Sequence, residues 1–516
     1  LAAGFDGLEV HVGHGHLLQQ FLSPATNTRI DGYGADEAGR LRFAVEVLQA
    51  VRESVGPEVC LGVRVSADEY AAGGLTLDDM ERIVPALADR VDLDFVNVSH
   101  SAYHGSYSLS TQMADMSFPR DMFRHLAPAI GRSLKAAGHT MPVMAVCQYR
   151  SLAEAEQTLT AGDVDLVGLA RAHVADPDLV NKARAGRAGE TRTCIGCNQG
   201  CAGFLEKGLP ITCVVNPSTG REGTWTPDPG DDPADARKRI LVVGGGPAGL
   251  EAAWVAAARG HQVDLVERSN RLGGRLRLLE HLPRRHDYLT LIDQQIDAGR
   301  RHGVTVHLQT DFDPANSLSR WTAGDGLLGG RPHHLIMATG SRPQAVRFPG
   351  GGEGLTLNEA VTAEWEPGTR VAFYDLMGDW ASLGVVEHLA EVGVEVTYIT
   401  PVAGYAWKIT VYSKTALTAR LRRARVAIRP LRSAVSLADG VFTVEDLSTG
   451  DHESLAVDAV VAAGNPVADS LGGSSATAAL LAECLPDATL TVIGDCLAPR
   501  SALEAVYEGH RVAREL

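Results

Sequence analysis

Four cysteines fall in one short run, CIGCNQGCAGFLEKGLPITC, at Cys194, Cys197, Cys201 and Cys213, with C-x2-C-x3-C-x11-C spacing. Four thiolates can enclose a tetrahedral zinc ion or an iron–sulfur cluster. Structural zinc sites usually pair two knuckles. Here three cysteines lie close together and one is remote, which favours a 4Fe-4S cubane; unligated structural cysteines are the weakest reading. The other four (Cys60, Cys147, Cys484, Cys496) are dispersed. A disulfide framework suits small secreted domains, so one tight cluster in a long chain reads as a metal site in a reducing cytoplasm.

A second chemical signal is LVVGGGPAGL, which carries G-x-G-x-x-G at Gly244, Gly246 and Gly249. A hydrophobic strand precedes it and an Ala-rich helix follows. Such glycines let backbone approach a pyrophosphate at a helix N-terminus, and Glu267, ending the next strand, is placed to bond a ribose. Gly273-Gly274 with Arg275, Ala338-Thr339-Gly340 and Gly494-Asp495 extend the pattern. Together they point to FAD or ADP, against the alternative of a tight turn without ligand. A second strand–turn–helix unit reads DLMGDWASLG. Its glycine run has shrunk to Gly378 and Gly384, and Asp375 and Asp379 would repel a pyrophosphate there. This counts against NAD(P)H.

The third signal is histidine. His11 and His14 close the first strand-like run, His16 follows, and His100 and His104 sit in the segment SHSAYH after another. A lone His is more often structural than catalytic. Five at two strand ends shift the balance if those ends form a barrel mouth.

The elements that must position these groups follow from patterning. Strands are expected at Leu8–Val12, Cys60–Val65, Phe95–Val98, Pro142–Val146 and Val164–Leu169. Helices are expected at Asp36–Ser54, Leu77–Ala88, Arg120–Ala136, Leu152–Thr160 and Asp178–Ala183. Repeated βα units imply a parallel sheet, and five are visible where a closed (β/α) barrel needs eight. The chain opens on Leu1 and runs straight into a strand, so it is read as N-terminally truncated, with three units expected before it. Residues 218–238, rich in Pro, Gly and Asp, read as a linker. The expected fold is α/β: a partial TIM barrel (1–188), a 4Fe-4S segment and linker (189–238), and two Rossmann-like domains. The first of these spans 239–365 and returns at 469–516; the second, degenerate one spans 366–468. The 516 residues carry a formal charge of −16 with no long basic run, which argues against nucleic acid and anionic membranes as partners. No stretch is long enough to span a bilayer and no signal peptide is visible, so a cytoplasmic location is expected.

Several motifs resemble the iron–sulfur flavoenzymes of the old yellow enzyme superfamily: 2,4-dienoyl-CoA reductase and the trimethylamine, dimethylamine and histamine dehydrogenases. They are GFDGLEVH (4–11), FLSP (21–24) with Asn27, Arg29, Asp31 and Tyr33-Gly34, the cysteine run ending CVVNP (213–217), the Gly244 loop and GDCLAPR (494–500). The resemblance implies FMN in the barrel, the cluster beside it, and FAD or ADP in the C-terminal domains. It places Arg64 against the flavin pyrimidine edge, where a cation stabilises the reduced flavin; a barrel-interior salt bridge is the plainer alternative. It assigns Gly168-Leu169-Ala170-Arg171 to the FMN phosphate. The preceding strand should add a Gly-Arg pair, but this chain has Cys147-Gln148. In the amine dehydrogenases a Tyr and a His match His11 and His14, and an acidic residue of trimethylamine dehydrogenase aligns roughly with His100. In dienoyl-CoA reductase the Tyr proton donor matches His16.

Three functions are weighed. The preferred one is oxidation of a small secondary or tertiary N-methyl amine, with a residue such as His14 keeping the amine neutral. Hydride passes to FMN, electrons leave singly through the cluster to an acceptor such as an electron-transfer flavoprotein, and hydrolysis of the imine releases formaldehyde. The alternative is NAD(P)H-dependent reduction of an activated alkene such as a dienoyl-CoA, with His16 or His104 as proton donor. The third is a redox carrier without its own substrate. The family is commonly oligomeric, which makes a homo-oligomer an expectation.

Overall fold

Alternation of β-branched and polar residues sets the first sheet. Strands β1 (Gly7–Val12), β2 (Cys60–Ser66), β3 (Phe95–Ser99), β4 (Val143–Ala145) and β5 (Leu166–Val167) pair in parallel and in sequential order. The protein is represented by a computed structural model that describes residues 3–103, 107–314, 316–317, 330–469 and 474–516; His104 lies outside them. Val12, Leu61, Val63, Val65, Val96, Val98, Val143 and Ala145 join one buried cluster with Leu48, Ile83 and Ile130 of the surrounding helices. Period two then puts Glu9, His11, Arg64, Ser66, Asn97 and Ser99 on the opposite face. Because βα crossovers share one hand, an unbroken strand order puts the helices on one side of the sheet, as in a barrel wall and unlike a doubly wound sheet.

Local signals place the helices. Glu37–Val55 starts where the Asp36 carboxylate accepts the Gly39 N–H and stops at Gly56, whose φ is 81°. Leu77–Ala88 opens with a Thr76/Asp79 capping box. Two elements differ from expectation. β5 has two residues because β4 pairs with it only at Met144 and Ala145. The helix expected from Arg120 begins at Leu126, since residues 119–126 are occupied by successive turns closed on Pro119, Asp121 and Phe123 carbonyls.

The chain divides into two units, Leu1–Ala188 with Val411–Ala419, and Gly189–Thr410 with Arg420–Leu516. The second unit contains a five-stranded parallel sheet ordered Thr489–Val492, His334–Met337, Arg239–Val243, Gln262–Val266, Thr305–His307. Strand order reverses at Arg239–Val243, which is where open α/β sheets leave a ligand crevice. A four-stranded parallel sheet, ordered Ala427–Arg429, Glu395–Ile399, Arg370–Asp375 and Ala459–Ala463, repeats that plan beside a three-stranded antiparallel sheet. The Pro- and Gly-rich stretch after Ser218 is fastened down: Trp225 stacks on Tyr507 with centroids 5.9 Å apart, and Arg192 donates to the Pro227 carbonyl at 2.7 Å.

Candidate active site

At the C-terminal ends of β1 and β3 the chain is zipped across by backbone. The His14 carbonyl accepts the Tyr103 N–H at 3.1 Å, and the His14 N–H donates to Ser66 Oγ at 2.9 Å. A side chain at Gly15 would stand 2.8 Å from Tyr103 N, so this crossing needs glycine. His14 has φ 57° and Ser101 φ 76°, a left-handed backbone of the kind that concentrates where function over-determines conformation.

The zipping lines up four rings. Centroids run His14 to His11 at 4.8 Å, His11 to His16 at 4.7 Å, and His16 to Tyr103 at 5.3 Å. The Gly13 N–H donates to His11 Nδ1 at 3.1 Å, which assigns the proton of a neutral ring to Nε2. His11 Nε2 then donates to His14 Nδ1 at 3.1 Å, and His14 Nε2 to Ser99 Oγ at 2.7 Å. Protonating either ring would set two donors face to face. Burial, then the neighbouring His16 and Arg64, push His11 down to about 4; burial, then Arg64 and the other imidazoles, push His14 down to about 3. Both rings are neutral and fully occupied. His16 and Tyr103 are the exposed end of the row.

His100 does not join the row. It is 3% exposed, stacks on Phe123 at 3.9 Å and bonds Ser101 Oγ at 2.6 Å. Burial pushes it to about 3.

On the inner face Arg64 lies 3.8 Å from Glu9, which also accepts from Asn97 Nδ2 at 2.7 Å. Arg64 Nε and Asn97 Oδ1 are buried without partners among the described residues. After β4, Cys147 and Gln148 hold φ 91° and 59°, the backbone that glycine would adopt. Gln148 is 6% exposed, yet neither of its amide atoms has a partner among the described residues. Buried polar atoms left open at the strand ends of this sheet fit a polar ligand such as a flavin and its phosphate. Burial pushes the Cys147 thiol up to about 12, so it acts as a wall and not as a nucleophile. Gly168 and Ala170 follow β5, and one Arg171 nitrogen is spent on the Ala114 carbonyl at 2.9 Å.

In the second unit Cys194, Cys197 and Cys201 lie in an irregular loop with Gly196 (φ 65°) and Asn198 (φ 55°), and Cys213 follows the short helix Ala202–Glu206. Burial, then the neighbouring cysteines, push Cys197 well up and Cys213 to about 12. Among the described residues no group of three or more His, Cys, Asp or Glu is placed to hold a single metal ion.

The first dinucleotide loop is a cradle that side chains would fill. A Cβ on Gly244 (φ 109°) would strike the Ala338 carbonyl, and one on Gly249 the Gly244 carbonyl. Gly246 begins the helix Pro247–Ala258 with no side-chain cap, and Gly274 lies against it. Glu267 accepts the Gly245 N–H at 2.7 Å and the Ser269 N–H at 2.8 Å, leaving lone pairs for a ribose. Arg275 donates to Ser341 at 2.6 Å, and Ser341 to Asp495 at 2.7 Å. Thr339 donates to the Asp469 carbonyl; Gly340 and Gly494 have positive φ.

Sequence reasoning passed over Ser66, Ser99, Tyr103, Glu9 and Asn97. The two serines had a readable signal: β2 ends Val63-Arg-Val-Ser66 and β3 ends Val96-Asn-Val-Ser99, and the two ends stand in register.

Residues 1–190 match the NADH:flavin oxidoreductase / NADH oxidase family, and residues 238–509 match the pyridine nucleotide-disulphide oxidoreductase family. An N,N-dimethylglycine/sarcosine dehydrogenase of Chromohalobacter salexigens is 31% identical across 99% of this chain and 76% of its own. An NADH oxidase of Thermoanaerobacter brockii is 33% identical over 77% of this chain, which spans only 58% of that protein. The structure of histamine dehydrogenase from Rhizobium sp. 4-9 superposes with TM-score 0.86 at 26% identity, covering 100% of this chain and 74% of that one. The chain is thus a flavin-dependent oxidoreductase of the old yellow enzyme family, its residues 1–190 belonging to the NADH:flavin oxidoreductase / NADH oxidase family and its residues 238–509 to the pyridine nucleotide-disulphide oxidoreductase family.

Proposed function

We propose that the enzyme oxidises a small secondary or tertiary amine and N-demethylates it. One observation carries this reading: at the strand ends two imidazoles, His11 and His14, are locked as neutral rings in a donor chain that ends on Ser99. Burial and the Arg64 charge keep His11 and His14 unprotonated far below neutral pH, and an ammonium bound beside them would lose its proton for the same reasons. Only a neutral amine has the lone pair that drives hydride loss. His16, exposed at the open end of the row, is assigned to take that proton; His11, His14 and Ser99 fix its neighbourhood. Arg64, oriented by Glu9, is assigned to the negative charge that develops on the reduced ring.

The chemistry supplied by the bound groups is hydride acceptance by FMN and single-electron passage by a 4Fe-4S cluster on Cys194, Cys197, Cys201 and Cys213. Removal of hydride from an N-methyl group leaves an iminium, and water converts it to formaldehyde and the demethylated amine. The two electrons go to an external one-electron acceptor of the electron-transfer flavoprotein type. FAD or ADP is assigned to the Gly244 loop. In this reading residues 1–188 belong to an FMN barrel, 189–238 to the cluster segment, and 239–365 with 469–516 to the nucleotide domain that encloses 366–468. The likeness to an N,N-dimethylglycine/sarcosine dehydrogenase supports N-methyl amino acids as the first substrates to try. No helix among the described residues is long and apolar enough to cross a membrane; a cytoplasmic location is part of this proposal.

A second reading, alkene reduction with NAD(P)H, draws on the exposed Tyr103 phenol beside His16, a proton donor for a developing carbanion.

The test is turnover of sarcosine and N,N-dimethylglycine by the cofactor-loaded enzyme with an artificial one-electron acceptor. One formaldehyde for each pair of electrons is expected. Acceptor reduction without formaldehyde would contradict the demethylation.

A further inference from the structure

We propose that Asp375 is a built-in stand-in for a nucleotide phosphate, which closes the second dinucleotide loop to NAD(P)H. The proposal deepens the amine-oxidase reading and rests on it only for the direction of electron flow.

In a Rossmann-type turn the N–H groups after the first strand and at the start of the helix are left open, and a pyrophosphate takes them. Here two carboxylates of the chain do so. Asp375, the last residue of Arg370–Asp375, is fully buried. Its Oδ1 accepts the Met377 N–H at 2.7 Å and the Gly378 N–H at 3.0 Å. Its Oδ2 accepts the Ser382 hydroxyl at 3.0 Å and the Tyr398 hydroxyl at 2.6 Å. Two N–H groups and two hydroxyls around one anion make the donor set of a phosphate site. Asp379 takes the next pair, the Ala381 N–H at 3.0 Å and the Ser382 N–H at 3.1 Å, and caps Trp380–Glu391.

The approach is closed as well. The Trp407 indole lies so close to Gly378 that a Cβ there would strike it, and the Gly378 carbonyl accepts the Lys408 N–H at 3.0 Å. The first loop is the contrast within the same unit: its helix starts at Gly246 with no side-chain cap. In the first loop a carboxylate, Glu267, takes only the Gly245 N–H; in the second, Asp375 and Asp379 take the N–H groups of Met377, Gly378, Ala381 and Ser382.

The experiment compares the wild-type holoenzyme with Asp375→Ala and Asp375→Asn. Thermal unfolding is followed by tryptophan fluorescence in sodium sulfate and in sodium chloride of equal ionic strength. Asp375→Ala leaves four donors around a small space. Its Tm should fall, and sulfate should restore about 2–4 °C beyond the general gain over chloride that it gives the wild type. Asp375→Asn should show only that general gain. A folded Asp375→Ala protein whose gain from sulfate over chloride equals that of the wild type overturns the proposal. Equilibrium dialysis of the wild type against NADPH decides the matter even if Asp375→Ala fails to fold. No binding is expected, and stoichiometric binding that sulfate displaces overturns it. An enzyme that passes both tests yet is reduced by no amine would defeat the amine-oxidase reading and leave the role of Asp375 standing.

Discussion

His100 should give the first unit a measurable sensitivity to acid. Its ring is 3% exposed and stacked on Phe123, and burial lowers it from its ordinary value of 6.5 to about 3. The folded state therefore keeps it neutral while the unfolded chain binds a proton below pH 6.5. Stability from this residue is intact above about pH 6.5 and is lost as pH falls towards the folded value. At about pH 5 the loss is about 1.5 pKa units, or about 2 kcal/mol. That figure depends little on where below about pH 4 the folded value lies. In His100→Gln the amide can still reach Ser101 but cannot titrate. All six tryptophans lie between Trp225 and Trp407, in the second unit, so flavin fluorescence on release is the reporter for the first. Urea titrations at about pH 7.5 and pH 5 should show wild type losing about 2 kcal/mol more than His100→Gln. The large absolute cost expected for the variant does not enter the difference. Equal losses in the two proteins, within about 0.5 kcal/mol, would refute the claim that His100 is held neutral.

Ser99→Ala leaves the His14 Nε2 hydrogen without its acceptor. It should cost about 1–3 kcal/mol and let the His14 ring change tautomer, visible in the imidazole ¹⁵N shifts; unchanged shifts would contradict the donor chain. Cys197→Ala should abolish the bound iron, expected at about four atoms per chain by colorimetric assay, while Cys484→Ala should leave it intact. Gly249→Ala drives a methyl group into the Gly244 carbonyl, so the purified protein should lose the adenine nucleotide released by acid from wild type.

The parts of the fold set by local rules were legible. Helix Leu77–Ala88 follows from Thr76 and Asp79, and the Gly244 loop follows from positions where only glycine fits. The site was less legible because it depends on register between distant segments. The pairing of Ser66 with Ser99 and the crossing of His14 with Tyr103 are decided by how β1, β2 and β3 align. The same holds for His100: its place at a strand end suggested convergence with the other histidines, but the residue just past β3 turns into the core against Phe123. Asp375 was legible as an intruder in a phosphate loop. That its carboxylate gathers the loop's own donors needed Tyr398 and Ser382, contributed by the next strand and the helix.

The most direct test is anaerobic stopped-flow absorbance of the cofactor-loaded enzyme mixed separately with sarcosine, N,N-dimethylglycine, NADH and NADPH. The account predicts bleaching of the flavin by an N-methyl amine and by neither nicotinamide. Rapid, stoichiometric bleaching by NADPH with no response to any amine would contradict it and establish the alkene reductase reading in its place.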